Sequence, residues 1–511
     1  AQGEMNAPMD AFLNAFPLVF EPSVLGAICL GTVIGLVFGA IPGLTYTMAL
    51  SLVLPLTFGA AAMPAIALMV GTYIGGMTGG SVSAILIGVP GTPSAAATAL
   101  DGFPMRKSGK ASLALGLAVI SSTAGGLISL FIMVVSVQMV SRLAIKFGPA
   151  EIFALVVFGM STICGLAEKS LVRGLIAGVL GLMMMTIGLD EITGDQRLTF
   201  GTVTFQQGIN LVVAMIGLFA VPHIIQTFAL YRAGLQKKAD PQDARLELPS
   251  FSLMRRCLGV MMRSSLIGTV IGAIPGASGP IGAFIAYDQA RRFSKDPSRF
   301  GKGAEEGVVA PETANNAVSG GTFIPLLSLG IPGDPATAVI LSGLLIHGLF
   351  PGPMLFREHP TEIYGVYLAI ILAYIVILVV QLFGIRLFIK FLLVPPHLLS
   401  VAVVVMCVIG SYAIRNSVFD VYTLAACGLM GYLLLRARIP VTPVILGLVL
   451  GPTLESQYRT SIIMSEGHYD IFYTSPTALL FFTLALLVIG FQLWSNMRTK
   501  AQATPPTERE A

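Results

Sequence analysis

Two carboxylates stand where a carboxylate is expensive. Glu312 lies within Pro311-Glu-Thr-Ala-Asn-Asn316 and Asp334 within Gly330-Ile-Pro-Gly-Asp-Pro335, both in apolar surroundings. In a membrane such groups usually ligate an ion or carry a proton. The alternative reading is a carboxylate at a loop end, in the interface. Along the chain, beside its Pro-Gly breaks, hydroxyls and amides cluster twice. The first cluster holds Thr45, Thr47, Thr78, Ser81, Ser83, Thr92, Ser94 and Thr98, and the second Ser278, Asn315, Asn316, Ser319, Thr322 and Thr337. Hydroxyls, amides and backbone N–H groups can hold an anion without a fixed buried cation, and neither cluster contains Lys or Arg. Small Ser and Thr side chains also pack helices closely, so any single hydroxyl has a plain structural alternative.

Each cluster is threaded through two backbone breaks. Ile41-Pro42-Gly43 and Gly88-Val-Pro-Gly91-Thr-Pro93 interrupt the first; Ile274-Pro275-Gly276 and Gly330-Ile-Pro-Gly333-Asp-Pro335 interrupt the second. Proline removes a backbone donor and clashes with the preceding turn, and glycine lets the chain turn. Helices stopped part-way through a bilayer must face protein or a wet cavity. Their N-termini offer free N–H groups to anions, and their unwound carbonyls suit a small cation.

Composition requires that setting. Of 511 residues 55% are hydrophobic and only 11% are Asp, Glu, Lys or Arg, against ~25% charged in soluble domains. Mean hydropathy is +0.84. These values exclude a soluble enzyme, a nucleic-acid binder and a disordered chain. Continuous apolar runs predict an all-α polytopic membrane protein of about a dozen spans, not a β-barrel. Glycine, at 56 residues, marks close helix packing. The five cysteines show no metal or disulfide spacing, and the histidines are scattered near segment ends. P-loop, GxSxG and HExxH patterns are absent. Asp288 reads as capping or pairing beside Arg291 and Arg292, and Asp101 as a turn residue before Gly102. Tyr46 and Tyr73 suit either the site or a membrane interface.

The breaks belong to an internal repeat. Gly31-Thr-Val-Ile-Gly35, continuing to Ala-Ile-Pro-Gly43, is echoed by Gly268-Thr-Val-Ile-Gly-Ala-Ile-Pro-Gly276; Thr78-Gly-Gly-Ser81 by Ser319-Gly-Gly-Thr322; and the apolar hairpin 148–189 by 395–436. Basic residues crowd the 101–110 loop (Arg106, Lys107, Lys110) and the 291–302 loop, but are sparse in their counterparts. By the positive-inside rule equivalent loops then face opposite sides, the mark of an inverted-topology secondary transporter with broken helices and re-entrant hairpins. The expected organisation is a lead-in over 1–20, which lacks a signal-peptide pattern, a first repeat over 21–231, a basic cytoplasmic linker over 232–263, a second repeat over 264–455, a C-terminal connection and last helix over 456–497, and a disordered tail over 498–511.

At Gly71-Thr-Tyr-Ile-Gly-Gly-Met-Thr-Gly-Gly-Ser81, Gly88-Val-Pro-Gly-Thr-Pro-Ser94, Asp101-Gly-Phe-Pro104, Leu54-Pro-Leu-Thr-Phe58 and Pro311 to Pro335 the chain resembles the large permease subunit of the bacterial tripartite tricarboxylate transporters. The likeness runs from about residue 20 to 495. It implies a cation-coupled importer of carboxylates such as citrate in the bacterial inner membrane. The implied partners are a small four-helix membrane subunit and a periplasmic solute-binding protein, with no organic cofactor. A homo-oligomer stays open. Combined with the breaks, it suggests substrate contacts at Thr45, Thr78, Ser81, Gly91, Thr92, Ser94, Ser278, Ser319, Thr322, Gly333 and Thr337. Coupling-ion contacts are expected at Pro42, Gly43, Pro275, Gly276, Glu312, Asn315, Asn316 and Asp334, with Na⁺ as the ion and H⁺ as its alternative. A carboxylate channel and the membrane half of an ATP-driven importer remain the rival readings.

Overall fold

An apolar run in lipid folds as helix because only a helix satisfies all its backbone groups within its own segment. The computed structural model follows that rule, and describes residues 2–42, 44–166, 171–190, 192–232, 246–277, 279–392 and 396–502. The chain begins with α1 (Gln2–Val19), α2 (Pro22–Ala40), α3 (Tyr46–Leu56), α4 (Ala62–Ile87), α5 (Ala95–Lys107) and α6 (Ala111–Ala144). The middle holds α7 (Pro149–Leu166), α8 (Leu171–Met185), α9 (Val203–Gln206) and α10 (Leu211–Arg232). A two-stranded antiparallel hairpin, β1 (Gly188–Leu189) on β2 (Gln196–Arg197), separates α8 from α9. Then follow α11 (Phe251–Ala273), α12 (Gly279–Arg292), α13 (Glu306–Leu329), α14 (Pro335–Ile346), α15 (Leu355–Glu358) and α16 (Pro360–Leu392). The chain continues through α17 (Pro396–Arg415), α18 (Val418–Arg436), α19 (Thr442–Met464), α20 (Ile471–Thr474) and α21 (Pro476–Gln502).

Six described helices are long and apolar enough to cross a membrane: α2, α4, α6, Pro360–Gly384 of α16, α18, and Pro476–Leu493 of α21. Six shorter apolar helices, among them α3, α8 and α14, accompany them. The chain is a multi-pass membrane protein.

Compactness groups Ala1–Ile145 with Val212–Tyr432 in one unit, and Lys146–Leu211 with Leu433–Ala511 in another. This grouping differs from the division into 21–231 and 264–455. The stretch 232–263 is not linker throughout: α11 begins at Phe251, where the Ser250 hydroxyl accepts from the Leu253 amide at 3.3 Å. Most of the tail expected over 498–511 lies outside the described residues, although α21 runs to Gln502.

In the first unit, the order α2, α3, α4, α5, α6 recurs as α11, α12, α13, α14, α16. The helix stops repeat closely. Ile41 closes α2 at φ −84°, ψ 115°, and Ile274 closes α11 at φ −88°, ψ 113°. Gly88 ends α4 at φ 67° and Gly330 ends α13 at φ 70°, a left-handed turn that side-chain-bearing residues rarely take.

Missing side chains set the packing. On α2, a Cβ added at Gly31, Gly35 or Gly39 would stand 2.1–2.2 Å from the carbonyl oxygens of Leu68, Thr72 and Gly76 on α4. On α11, Gly268 and Gly272 would come within 2.2 and 2.4 Å of the Ala314 and Val318 oxygens on α13. Without a hydrophobic drive between helices in lipid, such close backbone approach is what holds them together.

Candidate substrate and ion site

The breaks bring each half's tip onto its own long helix. Gly91 comes so near α2 that an added Cβ would meet the Gly39 oxygen at 2.1 Å, and its amide donates to the Gly80 oxygen at 3.3 Å. Gly333 lies against Gly272 in the same way, and its oxygen accepts from the Gly276 amide at 2.7 Å. Pro42 lies half-buried and Pro275 buried beside these tips. Gly43 and Ser278 lie outside the described residues.

Four polar groupings join the two halves within the first unit. The first centres on Glu312, on α13. Thr98 of α5 donates to its Oε1 at 2.5 Å, and Ser122 of α6 to its Oε2 at 2.9 Å. One turn on, the Asn316 side-chain amide donates to the Glu312 backbone oxygen at 3.1 Å, and Thr78 of α4 donates to Asn316 Oδ1 at 2.8 Å. Tyr374 of α16 reaches both the Asn316 oxygen (3.4 Å) and Ser319 Oγ (3.3 Å).

The second grouping centres on Asn315. Its Nδ2 donates to the Met77 oxygen at 3.0 Å, while Oδ1 is buried with no hydrogen-bond partner. That oxygen faces the turn into α12: a Cβ on Gly279 would lie 2.7 Å from it and 3.4 Å from Ser94 Cβ. Ser94 Oγ in turn lies 3.1 Å from Thr92 Oγ1.

Asp334 organises the third. Tyr73 of α4 donates to Asp334 Oδ2 at 3.0 Å and stands 3.0 Å from Thr322 Oγ1. The Asp334 carboxylate also takes the Thr337 amide at 2.7 Å, closing a capping box at the start of α14. Tyr46 packs its ring against Tyr73, 5.9 Å between centroids. Glu312 and Thr322 are ten residues apart on α13, about 15 Å at 1.5 Å per residue, so the two carboxylates occupy separate places.

The fourth grouping is Asp101, which is no turn residue. It is fully buried in α5 and accepts from Tyr287 Oη at 2.8 Å and from the Gly303 and Ala304 amides at 2.7 and 2.8 Å. It pins the segment leading into α13. Asp288 pairs with Arg292 at 2.7 Å on the surface.

The expected residues fall into two kinds. Thr78, Thr92, Ser94, Thr322, Glu312, Asn315, Asn316 and Asp334 are all buried, at separate contacts between the halves. Ser81, Ser319 and Thr322 return their hydroxyls to carbonyls three residues back, at Thr78, Asn316 and Ser319, as packing residues do, and Ser319 and Thr322 also face Tyr374 and Tyr73. Thr45 caps α3 by accepting from the Met48 amide. Gly333 and Thr337 belong to a helix start already filled by Asp334, whereas Ser94 at the start of α5 makes no such cap. Ser122, Tyr287 and Tyr374 carry no local signal; only their partners mark them, Glu312 and Asp101 at 190 and 186 positions away for the first two, and Asn316 and Ser319 at 58 and 55 for Tyr374.

Among the described residues no group of three or more His, Cys, Asp or Glu could hold a metal ion. No Lys, Arg or His pairs with Glu312 or Asp334 among them either. Asn315 Oδ1, an orphaned neutral oxygen beside hydroxyls, is instead a donor of the kind that suits a monovalent hard cation.

Comparison with known proteins reaches the same region. Residues 25–446 match the family described as Tripartite tricarboxylate transporter TctA. A protein of Agrobacterium vitis described as "Uncharacterized 52.8 kDa protein in TAR-I ttuC' 3'region" is 34% identical over 474 residues, covering 92% of this chain and 93% of its own. Another from that organism, described as in the "TAR-II ttuC' 3'region", is 36% identical over 233 residues, covering 46% of this chain and 96% of its own. No solved structure matches.

Proposed function

The chain belongs to the TctA family of tripartite tricarboxylate transporters, a transport family whose members act with partner subunits; on that premise we propose that it is the large permease subunit of a Na⁺-driven secondary importer of citrate-like di- or tricarboxylates. It works in the bacterial inner membrane with a small four-helix subunit and a periplasmic solute-binding protein. Its two halves are inverted repeats that alternate access to one site.

The observation that carries this reading is a charge imbalance. Glu312 and Asp334 are buried without a basic partner among the described residues, and the substrate would add more negative charge. Uncompensated charge in a low-dielectric interior is prohibitive. With no cation supplied there among the described residues, a cargo that brings its own cation balances the charge.

The two tips then divide the work. Thr92, Ser94 and the uncapped start of α5 receive a substrate carboxylate, where the N–H groups and helix dipole favour an anion. Asn315 Oδ1 and Ser94 Oγ contribute to the Na⁺ beside it. At the second tip Asp334 fills the start of α14, so the site is asymmetric although the backbone repeats.

A second reading has its own support. Glu312, held by two hydroxyl donors and no cation, is arranged to carry a proton, which would make H⁺ the coupling ion. Uptake into proteoliposomes separates the readings, with this chain and its small membrane partner reconstituted, the binding protein outside and no nucleotide. Uptake that requires an inward Na⁺ gradient at fixed pH supports Na⁺ coupling. Uptake that follows only a pH gradient assigns coupling to Glu312, and downhill flux with neither gradient refutes the secondary-transport reading.

A further inference from the structure

Away from that site, α6 and α16 enclose with the Pro353–Arg357 segment a cavity of about 500 Å³, within the ~300–1,000 Å³ of small-molecule sites. Its polar lining includes Gln138 and Arg142 from α6, Arg357 from α15, and Tyr364 and Tyr367 from α16. Neither arginine has an acidic partner among the described residues; nearby Glu362 pairs with His359. Tyr367 is only 5% exposed, and its hydroxyl has no hydrogen-bond partner. Its ring is held edge-on to Tyr364, whose hydroxyl accepts from Gln138 at 3.5 Å. A buried unsatisfied donor and two unpaired guanidinium groups around one cavity lack an anion with several acceptor oxygens.

The remaining walls say which anion. Pro353, Phe356, Pro360 and Ile363 line the same space, and a small, wholly polar dicarboxylate has no use for them. Below Arg142, α6 exposes Phe131 (72%), Val135 (59%), Met139 (77%) and Leu143 (58%) at four-residue spacing, one continuous helix face. With Leu127 (38%) included, the stripe from 127 to 143 spans about 24 Å of a ~30 Å hydrocarbon core, and Arg142 lies at its end. The arginine therefore stands where the apolar face meets the headgroup layer.

We propose that this cavity binds the phosphate headgroup of an anionic phospholipid, with Arg142, Arg357 and Tyr367 on the phosphate oxygens and an acyl chain along the Phe131–Leu143 face. Guanidinium groups suit phosphate bidentately, and the tyrosine hydroxyl supplies a neutral donor. The lipid is a resident ligand, distinct from transported cargo.

The test uses the full chain purified in neutral detergent, incubated with phosphatidylglycerol, phosphatidylcholine, glycerol 3-phosphate or citrate, and read by native mass spectrometry and thermal unfolding. Phosphatidylglycerol should remain bound at about one per chain and raise the melting temperature, where phosphatidylcholine does not. Arg142→Ala with Arg357→Ala should lower its retention by tenfold or more, since each lost charge-assisted hydrogen bond is worth about a factor of ten. Tyr367→Phe, which keeps the ring, should lower it several-fold without changing the elution profile or the unfolding temperature of lipid-free protein. Equal retention of phosphatidylcholine, or unchanged phosphatidylglycerol retention in folded Tyr367→Phe and double-arginine variants, would overturn the proposal. So would arginine-dependent protection by glycerol 3-phosphate or citrate at the concentration where the lipid gives none, which would make the cavity a small-anion site.

Discussion

Asn315→Ala is the sharpest probe of the cation reading. The Asn315 side chain spends its amide nitrogen on the Met77 oxygen at 3.0 Å and leaves Oδ1 buried and unpaired. A buried acceptor without a partner costs about 1–3 kcal/mol. If Na⁺ meets that oxygen, binding recovers the cost, and the substitution forfeits it. Divided by ~1.4 kcal/mol per tenfold, the loss is a roughly 5- to 140-fold weaker Na⁺ affinity. The assay is thermal unfolding in NaCl against choline chloride, alongside the Na⁺ dependence of uptake. At a Na⁺ concentration about 100 times the dissociation constant, the bound ion stabilises wild type by ~2.7 kcal/mol. The variant should lose most of that increment and need proportionately more Na⁺ for half-maximal uptake. Asn315→Asp, which retains an oxygen and adds charge, should keep Na⁺ binding or tighten it. A folded Asn315→Ala protein with wild-type Na⁺ stabilisation and uptake would refute the assignment.

Three further outcomes follow from packing and polar contacts. Asp101→Ala strands the Tyr287 hydroxyl and the Gly303 and Ala304 amides; at about 1 kcal/mol or more each it should cost roughly 3 kcal/mol, lower the melting temperature and speed proteolysis near 296–304, and Asp101→Asn should be milder. Gly35→Ala places a Cβ 2.1 Å from the Thr72 oxygen, so α2 and α4 must separate at ~1–3 kcal/mol. Gly26→Ala, on the same helix with nothing within 4 Å, should be neutral or stabilising by up to ~1 kcal/mol; equal effects of the two in thermal unfolding would show that the close approach is immaterial. In the second unit, Asp190 binds Arg197 and Arg459, which also hold Glu455. Asp190→Ala leaves the two arginines, 24% and 30% exposed, short of a partner. With solvent screening the loss should be about 1–2 kcal/mol, shrinking at high salt; a loss that ignores salt would point to packing instead.

Much of the candidate site was legible in the residues themselves. Ile-Pro-Gly and Gly-x-Pro-Gly-x-Pro stop helices by local backbone rules, and the helices end at Ala40, Ile87, Ala273 and Leu329 accordingly. The membrane class needed only composition. The basic linker is shorter than its charge predicts: Arg255, Arg256 and Arg263 share α11 with buried Leu253, Cys257 and Met261. Asp101 misled for a related reason: Asp-Gly is a turn signal, yet the tertiary partners Tyr287, Gly303 and Ala304 hold it in a helix.

What the sequence determined by itself is thus whatever depends on near neighbours: apolar runs, breaks, caps and their repetition. Even the capping of α14 lies within four residues, Asp334 to Thr337. The tertiary structure alone decided which breaks face which. Thr98 meets Glu312 across 214 positions, Thr78 meets Asn316 across 238, and Tyr73 meets Asp334 across 261. No periodicity encodes those pairings. They arise because α2 seats on α4 and α13 packs against α5, α6 and α11 through glycines too small to hold the helices apart. Where backbones come that close, most buried polar side chains find a partner on the neighbouring helix; Asn315 Oδ1, like the Thr313 and Ser265 hydroxyls, has none among the described residues.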